Sequence, residues 1–128
     1  MLSYYQKKDS IFFLEMKGQT LMENLKLIKE SEILIASLSG EIDHHSAVRV
    51  RREIDEALYL YLPKTLVIDI GSVAFMDSSG LGLIMGRFAK AKEIGTALIV
   101  RDPSPRAKKM LMLAGLEKLI ETEESEAK

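Results

Sequence analysis

The residues of this chain best suited to chemistry stand together in Phe75-Met76-Asp77-Ser78-Ser79-Gly80-Leu81-Gly82. Two hydroxyls and a carboxylate gather there, just ahead of a segment with helical spacing. One of the three must cap that helix by accepting a backbone N–H. The stretch follows a strand-like run, and open α/β sheets present their binding groups at the carboxyl ends of strands. A second polar stretch, Ser39-Gly40-Glu41-Ile42-Asp43-His44-His45, carries both histidines of the chain. A Ser78–His44–Asp43 triad is the catalytic reading these residues invite. It fails on pattern: the residues around Ser78 do not form the Gly-x-Ser-x-Gly elbow, and an adjacent Asp and His need not be aligned. His44 and His45, neighbours at a helix start, point in different directions and fall short of the three or four convergent ligands a metal needs. Gly80-Leu81-Gly82 with Gly86 misses the spacing of a dinucleotide loop, and no P-loop is present. The glycines read instead as places of close helix packing. The expectation is a binding module with no catalytic residue, no metal site and no cofactor.

The elements that must position these residues alternate between strand-like and helical patterns, which argues for an α/β domain. Leu25–Lys29 and Ile33–Ser39 read as two strands joined around Glu30-Ser31-Glu32. From Ser46 to about Leu62, Ala47, Val50, Ile54, Ala57 and Tyr61 recur at helical spacing until Pro63 intervenes. Thr65–Ile70 is a strand rich in β-branched residues and is expected to be central. A second helix runs from about Ser79 to Glu93 and stops at Gly95, which tolerates a positive φ. Ala97–Val100 is the next strand. Ser104 caps a third helix, with Pro105 in its first position and Gly115 closing it. A last short strand is expected at Lys118–Ile120, followed by a frayed acidic tail. The organisation is thus 1–21 as an N-terminal extension, 22–121 as the folded domain and 122–128 as the tail. Tyr4, Tyr5, Ile11, Phe12, Phe13 and Leu14 either pack on the uncovered sheet face or belong to an upstream extension with Met22 as the start.

Bulk properties narrow the class. A chain of 128 residues with 47% hydrophobic residues has the size and the apolar content of one globular domain. Its net charge of −1 lacks the basic excess by which nucleic-acid binders neutralise phosphates. Without cysteine there is no disulfide or thiolate chemistry. No apolar run approaches the roughly 20 residues that span a bilayer, and no signal peptide is evident, so a cytoplasmic location is expected. Arg49, Arg51 and Arg52 form a basic cluster that Glu53, Asp55 and Glu56 balance locally, as on a solvated face. Met110 and Met112, with Leu111 and Leu113, are expected to include core positions, an exposed Met-rich contact patch being the minority reading. With no long exposed apolar stripe, the free protein is expected to be a monomer.

The two polar stretches together, with Gly115 after the third helix, resemble the STAS domain of anti-sigma-factor antagonists, above all the sporulation stage II kind. The resemblance spans about Leu25 to Ile120. It implies a STAS-type mixed four- to five-stranded sheet with helices packed mainly on one face, and a further helix for which little chain remains after Ile120. It also implies that Ser78 is phosphorylated by an anti-sigma factor that is itself a serine kinase. Ser79 then becomes the helix cap and second choice of phosphoacceptor. Asp43 belongs to the docking surface, and His44, Asp77, Ser79, Gly80 and Gly82 join it as partner-binding residues. The unphosphorylated form binds the anti-sigma factor and frees the sigma factor, and a serine phosphatase resets the phosphorylated form. No direct nucleic-acid or membrane partner is implied. The rival readings are a non-catalytic STAS scaffold subunit of a stress-signalling or transport complex, and a small hydrolase using Ser78.

Overall fold

The computed structural model describes residues 19–22 and 24–125. The expectations for residues 1–18 lie outside the described residues. The elements run β1 (Gln19–Met22), β2 (Leu25–Glu30), β3 (Ile33–Ile42), α1 (His44–Tyr61), β4 (Thr65–Met76), α2 (Ser78–Glu93), β5 (Ala97–Arg101), α3 (Pro105–Leu113) and β6 (Glu121–Glu123). The strands form one six-stranded sheet in sequence order. β1 to β3 pair antiparallel, and β3 to β6 pair parallel. The expected α/β class and mixed sheet are therefore present, with one strand more than the upper expected count. β1 supplies it, and its pairing begins within the segment set apart as an extension.

Alternation along the strands sorts the side chains. Leu25 faces Leu38 and Leu27 faces Ala36 across β2 and β3. Leu34, Leu66 and Leu98 line up across β3, β4 and β5, as do Ala36, Ile68 and Val100. All of these are buried, and they share one core with Val50, Ile54, Ala57 and Leu58 of α1, Leu83 and Ile84 of α2, and Ala107 and Leu111 of α3. Each fully buried leucine or isoleucine contributes about 1.5–3 kcal/mol by leaving water. The helices thus cover one face because the strands offer it a continuous apolar row.

Three local expectations need correction. β3 continues to Ile42 and β4 to Met76, beyond the expected ends at Ser39 and Ile70. Ser39-Gly40 and Gly71-Ser72 are absorbed into the parallel ladder through register shifts after Ser37 and after Gly40. Gly40 takes φ +75 there, a left-handed conformation that glycine adopts freely. The last strand lies at Glu121–Glu123 instead of Lys118–Ile120. Leu116 to Ile120 form a turn, closed by the Leu119 and Ile120 N–H groups on the Leu116 carbonyl at 2.9 Å, which buries Ile120 before the chain reaches the sheet. Residues 121–125 are accordingly tied down, not frayed. The Arg101 guanidinium meets Glu123 at 2.7 Å, and Ser125 donates to Asp102 through N–H at 2.7 Å and hydroxyl at 2.6 Å.

The helix boundaries follow the local chemistry. Ser104 caps α3 by accepting from the Ala107 N–H, with Pro105 inside the first turn. Gly95 and Gly115 carry positive φ just beyond the ends of α2 and α3. α1 ends at Leu62, which itself takes the left-handed conformation ahead of Pro63.

Candidate functional site

Two strand-to-helix junctions form the site, and the sheet sets them side by side. β3 and β4 are parallel neighbours whose last residues, Ile42 and Met76, are in register. The Asp77 N–H also donates to the Ile42 carbonyl at 3.4 Å. Each strand then passes one aspartate into a helix, Asp43 into α1 and Asp77 into α2. Two positive helix ends therefore open on the same side of the sheet, and neither helix has an acidic residue in its first turn.

The two caps differ. Asp43 and Ser46 form a reciprocal capping box: the Ser46 N–H donates to the carboxylate at 3.0 Å, and the Asp43 N–H donates to the Ser46 hydroxyl at 3.1 Å. The Ser46 N–H on the carboxylate holds the Asp43 carboxyl below its ordinary value, against an opposing desolvation effect. Asp43, His44 and His45 remain exposed, whereas Ser46 is buried. At the second junction Asp77 accepts from the Ser79 N–H at 2.8 Å, and that is its whole cap. The expected cap at Ser79 is thus replaced by Asp77. A carboxylate one residue outside the helix reaches the N–H of the second helical residue, so the helix starts at Ser78 and both serines lie within its first turn. Ser78 is exposed and Ser79 half-buried.

The glycines divide by function. A Cβ on Gly80 would lie 2.0 Å from Met76 Cγ, so close packing of α2 on the end of β4 requires glycine there. Nothing stands within 4 Å of a Cβ on Gly82 or Gly86, so close packing is not their reason. Gly82 instead lines a shallow groove of about 290 Å³ between α1 and α2, with His44, Ala47, Val48, Arg51, Ser79 and Leu83. His45 faces a separate polar hollow with Asn24, Asp43 and Arg49. The neighbouring histidines thus diverge, and the Asp43 carboxylate is engaged by the α1 backbone and Ser46, not by an imidazole. The groove unites His44, Ser79 and Gly82, Asp43 lines the polar hollow on the other side of the α1 start, and Asp77 and Ser78 directly precede Ser79 in the chain.

One feature of the site was not legible in the sequence. Arg87 of α2 is 5% exposed and its Nε lies 2.9 Å from Asp55 of α1. Burial raises the Asp55 carboxyl and lowers the Arg87 guanidinium, and each charge opposes the other's shift. Asp55 had seemed one of several acids balancing a surface cluster. Only the crossing of α1 and α2 shows that it neutralises a buried arginine and fixes the register of the two helices. Helical spacing alone does place Arg87 one turn beyond Leu83, on the inward face, and that was the available signal.

The STAS domain pattern matches residues 24–128. An anti-sigma F factor antagonist from Paenibacillus polymyxa is 39% identical over 88 residues, covering 69% of this chain and 75% of that one. Among solved structures, the unphosphorylated anti-sigma factor antagonist SpoIIAA superposes with a TM-score of 0.68 at 28% identity, covering 77% of this chain and 86% of that chain. The phosphorylated form of the Bacillus cell fate determinant SpoIIAA superposes with a TM-score of 0.65 at 29% identity, covering 77% and 89%. Fold, matched pattern and relatives agree, and the chain belongs to the STAS domain family of the anti-sigma-factor antagonists.

Proposed function

We propose that this protein is an anti-sigma-factor antagonist that binds an anti-sigma serine kinase while Ser78 is free, and releases it once Ser78 is phosphorylated. The observation that carries this reading is the exposed Ser78 hydroxyl in the first turn of α2, at the junction that the sheet sets beside Asp43, next in the chain to Ser79 of the α1–α2 groove. In the free form the kinase docks over Asp43, His44, Asp77, Ser79, Gly80 and Gly82, and the sigma factor it held is liberated. Transfer of the ATP γ-phosphoryl group joins phosphorus to Ser78 Oγ, expels ADP and releases the hydroxyl proton. A serine phosphatase hydrolyses the ester and restores the binding form. The protein itself catalyses nothing in this cycle.

Charge explains why such a phosphate acts on binding and not on folding. It adds about −1.5 to −2 charges and three acceptor oxygens. A helix N-terminus tolerates an anion, because its free N–H groups and dipole favour one. The similar superposition on both forms of SpoIIAA supports a fold that survives the modification. At an interface the same group brings bulk, a desolvation cost and repulsion beside Asp77. Incubation with an anti-sigma kinase and ATP, followed by mass spectrometry, tests the site: one phosphate on Ser78 is expected, and none on Ser78→Ala. Ser78→Asp should fold normally and bind the kinase at least tenfold more weakly. Phosphate elsewhere with Ser78 bare, or tight binding by Ser78→Asp, overturns the reading.

A further inference from the structure

β4 is longer than its neighbour on one side. β5 pairs with it only from Thr65 to Asp69, and Asp102 then backs onto Gly71, where a Cβ would meet the Asp102 Cβ at 3.1 Å. Beyond that point β3 flanks β4 on one side, and among the described residues no strand flanks it on the other. Residues 72–76, Ser-Val-Ala-Phe-Met, include no charge and no proline. Proteins ordinarily protect a free strand edge with such residues, with a bulge or with a cover, and of these the segment has only the irregularity between Val73 and Phe75. Opposite this edge stands the first half of α3, and between them lies a cleft of about 150 Å³. Ile70, Val73 and Met76 form one wall and Ala107 and Met110 the other. A cavity of that size accommodates a benzene ring, or one aromatic or branched side chain.

The rim adds a charge. Phe75 is 45% exposed, and the Arg106 guanidinium lies over its ring at 5.9 Å from the centroid. No carboxylate among the described residues pairs with Arg106. A guanidinium steadied by an aromatic face and lacking an acid is ready to take a carboxylate through two N–H groups.

We propose that this cleft docks an extended segment of a partner protein, which adds a strand to the 72–76 edge of β4, seats an aromatic or branched side chain between β4 and α3, and pairs an acidic residue with Arg106. Strand addition supplies affinity through the backbone, and pockets for alternate side chains supply selectivity. Side chains two apart share a face, so the recognised pattern is an apolar residue, any residue, then Asp or Glu. The backbone edge selects a peptide over a lipid or a small acid, which would leave its N–H and C=O groups unused. This groove opens on the side of β4 away from β3 and stands apart from the α1–α2 groove, so it does not depend on the role of Ser78.

Selection of a random heptapeptide display library on the full chain tests it. The expected winners carry the apolar-x-acidic pattern and shift the amide resonances of residues 72–76 and 104–110. Arg106→Glu, shown to be folded by circular dichroism, should weaken them at least tenfold and favour winners with Lys or Arg in place of the acid. N-methylation of alternate residues in a winning peptide should also cost at least tenfold, a readout that involves no variant. Three results would overturn the proposal: no enriched pattern, winners that shift α1 and α2 instead, or binding indifferent to N-methylation. Phenylacetate reproducing the full set of shifts would likewise overturn it in favour of a small-molecule pocket.

Discussion

The two strand-to-helix junctions share one plan and differ in how firmly each is closed. At the end of β3, Asp43 and Ser46 satisfy each other's backbone groups, and the serine hydroxyl is buried in the exchange. At the end of β4, Asp77 caps alone through the Ser79 N–H, and Ser78 faces water. A serine in the first turn can therefore be either structure or display. The choice depends on whether it stands at the third helical position, within reach of the cap, or at the first. The closed junction offers a fixed carboxylate, and the simpler one offers a hydroxyl that a second protein can reach.

The comparison is broken most strongly at the buried pair that joins the two helices leaving these junctions. Arg87→Ala leaves Asp55 without its counter-charge between α1 and α2 and should cost about 3 kcal/mol in urea unfolding. That is the low end for a broken buried pair, because the Asp55 side chain keeps 24% of its exposure. The junctions should stay side by side, because pairing of β3 with β4 sets them, so the folded variant should keep partner binding. Gly80→Ala drives a methyl into Met76 and should cost about 1–3 kcal/mol by overpacking. Gly82→Ala, with open space around it, should instead stabilise the helix by up to about 1 kcal/mol while filling the groove.

The serines give the sharper contrast. Ser46→Ala removes half of the capping box and should cost about 1 kcal/mol, whereas Ser78→Ala should stay within about 0.5 kcal/mol of the parent. Equal losses would mean the junctions are closed alike. The smallest effect concerns Asp43, whose carboxyl is held low by the α1 backbone. A lowered carboxyl stabilises the fold above its unfolded value, near the ordinary 3.8, and ceases to do so as pH falls through the folded value. The melting temperature of the parent should exceed that of Asp43→Asn at pH 6, and the gap should close progressively below pH 4.

Much of this was legible from local pattern. Short β-like runs marked β2 to β5, helical spacing marked the first two helices, and Ser104-Pro105 with Gly115 marked the third, as Gly95 marked the end of the second. The failures share one cause. Ser39-Gly40 and Gly71-Ser72 look like breakers because glycine costs conformational entropy in a strand. Pairing between β3 and β4 repays that cost only when the two strands are neighbours. Glu121–Glu123 looks like a solvated tail until Arg101 and Asp102 stand beside it.

What the sequence determined by itself is β2 to β5 and the three helices, the side each turns to the core, and the presence of two polar stretches at strand ends, because these follow from side-chain size, polarity and spacing within a few residues. Tertiary structure decided which aspartate caps which helix beside which, that Arg87 is buried against Asp55, and that β4 outruns β5 to leave an edge exposed. Those outcomes depend on distances between segments far apart in the chain, and no local pattern carries them.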